Sequence, residues 1–384
     1  MVVRLLQILT TLAALGAVCG MGYYLLCLWS ARVFLRDNKR KNIGSFSPPV
    51  SILKPLRGTD PNIYEAFRSH CLQEYPDFEV IFGVSDPQDE AIELVRKLQG
   101  EFPDRNIKLI VCEELLGTNG KVSTLAQMLP HARYDYLIVN DSDIRVDPDY
   151  LQRVMAPFED PKVGMVTCLY RGIAGSTLGS KLEAIGISTD FSAGVLAARV
   201  LEGVRFALGS TLAFPRKSLE QIGGFEPLVD YLADDFELGA RIADLGQEVI
   251  ISDVVVDHHL PDYNFNQFFH HQMRWARSTR DSRKWGYAGV VLTFGVPWAI
   301  ATVLFSGGHP WAWMLLGSAL LLRFAMALTV GRFILGDRQV TRDLYLIPLR
   351  DVVALAFWVC SFAGHTVHWR GDLFVLEDGK LRPA

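Results

Sequence analysis

Four dispersed signals carry the chemistry that this sequence offers, and three of them are acidic. Leu137-Ile138-Val139-Asn140 leads into Asp141-Ser142-Asp143. Alternate residues at a strand end point the same way, so both carboxylates can converge on one ligand, and such oxygens suit the hard cations Mg²⁺ and Mn²⁺. A cation held there would neutralise a departing pyrophosphate, as moving a sugar off a nucleoside diphosphate requires; a solvated turn is the other reading of this tripeptide. Asp86 comes after Val80-Ile81-Phe82-Gly83-Val84. It either accepts a hydrogen bond from a uracil ring or ribose hydroxyl, or caps the next helix. Asp234 and Asp235 open an amphipathic stretch with Phe236, Leu238, Ile242 and Leu245. They are helix caps, or one of them is a general base taking the proton of an attacking hydroxyl. Arg274-Trp275 lies in His270-His271-Gln272-Met273-Arg274-Trp275-Ala276-Arg277. A guanidinium there can pair with phosphate oxygens and an indole can wall an acceptor site, while an anchor beside a membrane has the same composition. His258 and His259, after the strand-like Val254-Val255-Val256, are structural or complete a metal shell.

These residues need elements to position them. Val50 to Leu53, Glu79 to Val84, Ile107 to Val111 and Tyr136 to Val139 are short apolar runs that predict strands. Between them, Pro61 to Gln73 and Asp89 to Glu101 place apolar residues at helical spacing, the second through Ile92, Val95 and Leu98. Such alternation predicts an α/β fold with a mostly parallel sheet flanked by helices, and ligands of such sheets bind beyond the carboxyl ends of the strands. Asp86 and Asp141 both come just after a strand and are expected to face one crevice.

The two ends of the chain are apolar. Leu5 to Ala31 is uncharged and longer than the roughly 20 residues that cross a bilayer. It ends in Trp29 and the cationic Arg32, Arg36, Lys39, Arg40 and Lys41, so it predicts an uncleaved anchor with its amino terminus outside and the central part of the chain in the cytoplasm. No formal charge occurs between Lys284 and Arg323, and Ser306-Gly307-Gly308-His309-Pro310 interrupts the run, which predicts a hairpin of two spanning helices. Arg323 is expected to snorkel to the cytoplasmic surface. A third segment, Leu346 to Ala363, carries Arg350 and Asp351 in its first turns and spans, re-enters or lies at the interface. The expected organisation is an anchor with its basic flank at 1–41, a cytoplasmic domain at 42–285 and a membrane region with tail at 286–384. A net charge of -4 excludes an ordinary nucleic-acid binder, which carries a basic excess. The six cysteines form no CxxC pair, so neither a zinc site nor a disulfide framework is expected.

From Val50 through Trp275 the chain resembles the ceramide glucosyltransferase-like family of inverting glycosyltransferases. Val50-Ser51-Ile52-Leu53-Lys54-Pro55-Leu56-Arg57-Gly58 is similar to that family's opening strand and loop. Asp86, Asp141 and Asp235 occupy the places of its three spaced aspartates, with Arg274-Trp275 after them. The resemblance implies a GT-A nucleotide-diphospho-sugar transferase fold, with Asp86 on the nucleoside, Asp141 at the metal and diphosphate, and Asp235 as base, Asp234 being the alternative. Lys121, in Asn119-Gly120-Lys121-Val122, matches a family lysine near the donor. The family's Q/R-x-x-R-W begins here with His271, and Asp143 supplies a second acid that ceramide enzymes often lack. Within the family the chain looks most like bacterial hopanoid-associated members. That resemblance implies transfer of N-acetylglucosamine from its UDP donor to a polyol hopanoid, at the cytoplasmic face of a bacterial inner membrane. A ceramide glucosyltransferase using UDP-glucose, a processive polysaccharide synthase and a non-enzymatic nucleotide-sugar sensor are the alternatives.

Overall fold

A computed structural model describes residues 1–38, 46–60, 62–369 and 371–384. Lys39, Arg40 and Lys41 of the basic flank, the start of the expected central domain at 42–45, and Pro61 lie outside the described residues. The chain forms two compact units that interleave along the sequence, where three consecutive segments were expected. One comprises Met1–Lys39, Ala174–Leu201 and Asp262–Leu373, the other Arg40–Ile173, Glu202–Pro261 and Phe374–Ala384.

The second unit is built on an eight-stranded sheet. Its strands are β1 (Val50–Leu56), β2 (Phe78–Val84), β3 (Asn106–Val111), β4 (Tyr136–Val139), β5 (Ile144–Arg145), β6 (Val163–Ile173), β7 (Leu212–Pro215) and β8 (Glu248–His259). They are ordered β3-β2-β1-β4-β7-β6-β8-β5. The first four are parallel neighbours, with β1 between β2 and β4. β1 and β2 are buried at every position, as parallel strands covered on both faces must be, and this is why they read as unbroken apolar runs. The four strands expected from sequence are all present, and the expected helices form as Ile63–Cys71 and Ala91–Glu101. Strands β6 and β7 were not expected; β7 joins the parallel half to the rest by antiparallel pairing with both β4 and β6. Beneath the sheet, Leu53, Ile81, Leu125, Leu137, Val139, Phe214 and Phe225 form one core. Helix Gly120–Met128 lies so close to β2 that a Cβ added to Gly83 would come within 2.3 Å of Met128 Sδ. Glycine at 83 therefore sets how deeply that helix seats.

The other unit is helical. Among the described residues, four helices are long and apolar enough to cross a membrane: Val2–Asn38, Leu178–Glu202, Pro310–Ile334 and Leu344–Ser361. Lys284–Thr293 and Gly295–Phe305 make a fifth candidate if counted together, bent by 53° at their junction. The expected break at 306–309 is present, but the first limb of the hairpin is this bent pair rather than a straight span. Small residues let the helices approach. A Cβ on Gly20 would meet Gly295 Cα at 2.2 Å, and Gly16 lies beneath the Trp298 ring.

Arg323 does not snorkel. It is 1% exposed, and its Nε and Nη2 donate to the Asp351 carboxylate at 3.0 and 2.9 Å. Nη2 also reaches Thr189 Oγ1 at 3.2 Å and Nη1 the Thr189 carbonyl at 3.3 Å. A partner on the neighbouring helix makes the buried position more favourable than a long reach to water, because the charge is neutralised and its donors are satisfied. Removing one partner strands the other charge. Arg323→Met is expected to lower the unfolding free energy of the detergent-solubilised protein by about 3–5 kcal/mol, and adding Asp351→Leu should recover most of it. A single variant as stable as the parent would refute the pairing.

Candidate active site

The parallel strands end in a row of polar groups. Asn140, buried after β4, donates through Nδ2 to the Ser210 carbonyl at 2.7 Å, Tyr150 Oη at 3.0 Å and Thr211 Oγ1 at 3.2 Å. This binds the Asp141 turn to the loop that carries Gly209. A Cβ added to Gly209 would lie 3.2 Å from Asp141 Oδ2 and 3.2 Å from Asp235 Oδ2. The two carboxylates thus flank one backbone position, and only hydrogen there leaves the space between them open.

Lys121 lies at the centre of the cluster. Asn119 caps its helix, with Oδ1 accepting from Val122 N at 3.2 Å, and this places Lys121 in the first turn. Its Nζ is 2.8 Å from Asp141 Oδ1 and 3.1 Å from Asp234 Oδ2. Burial works against the ammonium, but Asp141, Asp234 and Asp235 together outweigh it and hold its pKa above the ordinary lysine value. Asp235 moves the opposite way. Burial and the neighbouring Asp234 push its carboxyl up to about 6, against the pull of Lys121. Its Oδ1 accepts from Phe236 N at 2.8 Å at the start of helix Asp234–Asp244. Adjacent acids in the first helical turn therefore sit in different surroundings: Asp234 pairs with the lysine, and the Asp235 carboxyl is held above its ordinary value.

Asp143 takes a separate position. Its Oδ2 is 3.0 Å from His258 Nε2 at the end of β8. Burial raises its carboxyl, yet His258 and Lys54 more than offset this and hold it below the ordinary value. Asp143 Oδ1 is buried with no hydrogen-bond partner among the described residues. A buried acceptor of this kind is costly unless something binds it, and a cation fits the need. No group of three or more His, Cys, Asp or Glu side chains is gathered for a metal among the described residues. That agrees with Mg²⁺ or Mn²⁺ held by one or two carboxylates and completed by substrate phosphates, rather than with an all-protein cage. Asp141 and Asp143 fit this donor set. His258 is engaged with Asp143, whereas His259 Nε2 is buried with no hydrogen-bond partner among the described residues.

Lys54, to which the residue pattern alone assigned no role, lies under this turn. It is fully buried, and its Nζ donates to the Asp141 carbonyl at 2.9 Å. Burial draws its pKa down to about 7, with Asp143 and Asp141 opposing. The signal was available, as a lysine inside an otherwise apolar strand. Asp86, after β2, is exposed; its Oδ1 accepts from Gln88 N at 2.8 Å in a local turn. The helix start belongs instead to Asp89, which accepts from Ala91 N at 2.9 Å and Gly58 N at 2.8 Å. The capping alternative for Asp86 is not realised.

Arg274, Trp275 and His271 belong to the helical unit, on helix Phe265–Ser282. His271 Nδ1 lies 3.1 Å from Glu183 Oε2, and its ring stacks on Tyr263 at 5.4 Å. Trp275 packs on Phe191 and His271, with ring centroids 6.4 and 5.2 Å away. Arg274 looks elsewhere, lining a cavity of about 110 Å³ with His270, Met273, Arg277 and His368.

A model of glycosyl transferase family 21 matches residues 12–382. Ceramide glucosyltransferase 1 of Caenorhabditis elegans is 28% identical over 231 residues, 60% of this chain and 49% of the relative. Ceramide glucosyltransferase 3 of the same organism is 26% identical over 275 residues, 71% of this chain and 60% of the relative. The chain thus spans about half to three fifths of the length of these relatives. The mannosyltransferase PcManGT of Pyrobaculum calidifontis, solved in complex with GDP-Man and Mn²⁺, has a TM-score of 0.58 and 21% identity, covering 92% of this chain and 97% of that one. The shared fold is the GT-A α/β arrangement.

The raised Asp235 carboxyl has a consequence for stability. A folded pKa of about 6 against an ordinary 3.8 means that the folded protein binds the extra proton, so this contribution is full below pH 3.8 and lost as pH rises through 6. Ionised Asp235 therefore opposes folding at neutral pH. Asp235→Asn is expected to gain about 1–3 kcal/mol at pH 7.5, with the gain vanishing near pH 4, in denaturant melts at both pH values. Destabilisation by the variant at pH 7.5 would overturn this assignment.

Proposed function

The chain belongs to glycosyl transferase family 21, and on that premise we propose that it moves a sugar from a UDP donor to a lipid hydroxyl at a membrane surface, inverting the anomeric configuration. The observation that carries the reading is the pair of carboxylates flanking Gly209: one is tied to a lysine at the turn suited to a diphosphate, and the other has a raised pKa.

Asp86, at the end of β2, meets the uracil or ribose of the donor, while Asp141 and Asp143 hold Mg²⁺ or Mn²⁺. That cation supplies charge neutralisation for the diphosphate. Lys121 keeps a fixed positive charge beside Asp141, preorganised where negative charge develops on the leaving group. Asp235 takes the proton from the attacking hydroxyl oxygen as that oxygen bonds to the anomeric carbon and the bond to the diphosphate breaks. Displacement on an α-linked UDP-sugar in one step yields a β-glycoside. Arg274 and Trp275 keep the family's R-W motif on helix Phe265–Ser282, with His271 at its first position. The apolar helices suit an acceptor that is nearly insoluble in water, and Arg32 and Arg36 at the end of the first of them support a sheet unit facing the cytoplasm of a bacterial inner membrane.

For the substrates we favour N-acetylglucosamine and a polyol hopanoid, supported by the complete Asp141-Ser142-Asp143 motif. The names of the C. elegans relatives favour a second reading, glucose onto ceramide. Membranes containing the protein, given labelled UDP-N-acetylglucosamine or UDP-glucose with a polyol hopanoid or ceramide, should label lipid only in one pairing and only without chelator. Asp235→Asn should bind UDP as the parent does and lose at least about 100-fold in transfer. An α-linked product, or unchanged turnover in the variant, would sink the mechanism. UDP binding without lipid labelling in any pairing would sink the transferase assignment.

A further inference from the structure

Residues 372–383 form a hairpin whose turn is Asp378-Gly379, both at positive φ, the geometry that a two-residue type I′ turn requires. Phe374 to Glu377 pair antiparallel with Lys380 to Pro383. Leu376 and Leu381 are buried, so the hairpin is seated rather than loose. Its seat is two irregular loops of the sheet unit. Leu381 N donates to the Asp230 carbonyl at 2.7 Å, and Leu232 N donates to the Gly379 carbonyl at 3.0 Å. Lys380 bridges Tyr231 in the same antiparallel sense, with its Nζ 5.1 Å from the ring centre; Arg241 lies 5.5 Å from that ring.

The two loops are also joined to each other beneath the hairpin. Asp230 Oδ1 accepts from Thr118 N at 3.0 Å and from Thr118 Oγ1 at 3.1 Å, and the same hydroxyl lies 3.0 Å from the Leu381 carbonyl. Asn119 N donates to the Val229 carbonyl at 2.6 Å, and its Nδ2 reaches the Tyr231 carbonyl at 2.7 Å. One loop leads within three residues to Lys121 and the other within three to Asp235.

We propose that the 374–383 hairpin is a strap that sets the spacing between the Lys121 and Asp235 segments, with Thr118 and Asp230 as the positioning residues through which it acts. The base role of Asp235 rests on the function proposed above; the strap itself rests on the hydrogen bonds alone. Neither loop pairs within the sheet, so their register comes from these contacts, and displacement of a reacting group by about 1 Å costs on the order of 100-fold in rate.

The test uses the full chain, Thr118→Val, Thr118→Ser and a deletion of 374–384. Thr118→Val keeps the shape and removes the bridging hydroxyl. It should lower kcat about tenfold with KM for the UDP-sugar and the Kd of UDP within about twofold, and Thr118→Ser should restore most of the rate. The deletion should lower kcat further and speed amide hydrogen exchange at residues 118–123 and 231–236 by about tenfold or more. Parental kcat in both Thr118→Val and the deletion would overturn the proposal. So would a Thr118→Val loss shared equally by kcat, UDP binding and melting temperature, which marks general destabilisation. If the parent protein transfers no sugar, the base assignment fails and exchange decides: acceleration confined to the two segments upholds the strap, and unchanged exchange after the deletion refutes it.

Discussion

A lysine ammonium withdrawn from water among three carboxylates governs the arrangement of the sheet unit's functional end. Lys121 comes from a capped helix, Asp141 from the turn after β4, and Asp234 and Asp235 from the start of another helix. Burying the ammonium without partners would be prohibitive, and buried Asp234 with the partly exposed Asp141 and Asp235 supplies the opposite charge. The groups are tolerable only as a set, so each segment's position is conditional on the others. Burial first, and then the neighbouring Asp234, leave Asp235 with a raised pKa, and its ionised form lowers stability locally at neutral pH.

The same principle operates in the helical unit with a simpler stoichiometry. Arg323 and Asp351 neutralise one another, and Thr189 takes two further donors, so no net charge is left by this pair in an apolar setting. The helix approach at Gly20 and Gly295 is a different device, in which absent side chains allow backbone packing. Glycine at 209 is a third use of a missing side chain, keeping space between two carboxylates rather than between two helices. These positions look alike in the sequence and act differently because their neighbours differ.

The chain belongs to glycosyl transferase family 21 and has a GT-A fold, and no group of three or more His, Cys, Asp or Glu side chains is gathered for a metal among the described residues. A buried oxygen of Asp143 lacks a partner among the described residues, and a cation bound there would need the diphosphate to complete its shell. Lys54 beneath the turn holds the Asp141 carbonyl and fixes the direction in which the motif presents its acids.

Local structure was legible in the residues themselves. Apolar runs marked the four parallel strands, most clearly β1 and β2, because strands buried on both faces leave no polar alternation to obscure them, and the acids after β2 and β4 had to emerge at the same sheet edge. Apolar length marked the first helix and the Pro310 limb of the hairpin, and a resemblance carried by Asp86, Asp141, Asp235 and Arg274-Trp275 pointed to the family. The remainder was settled only by the folded chain, since each feature joins residues far apart in sequence. Asp234 and Asp235 are adjacent and chemically identical, and the ion pair of Asp234 with Lys121 is what sets their surroundings apart. The capping alternative for Asp86 fell because Asp89, three residues further on, takes the helix start and is held there by Gly58 N from another loop. Arg323 had two physically sound destinations, water or a partner, and the choice belonged to a helix 28 residues further on. The hairpin that turns at Asp378-Gly379 closes on the loops leading to Lys121 and Asp235, and only the folded chain decides this, because pairing between distant segments is set by packing and not by the residues of either one.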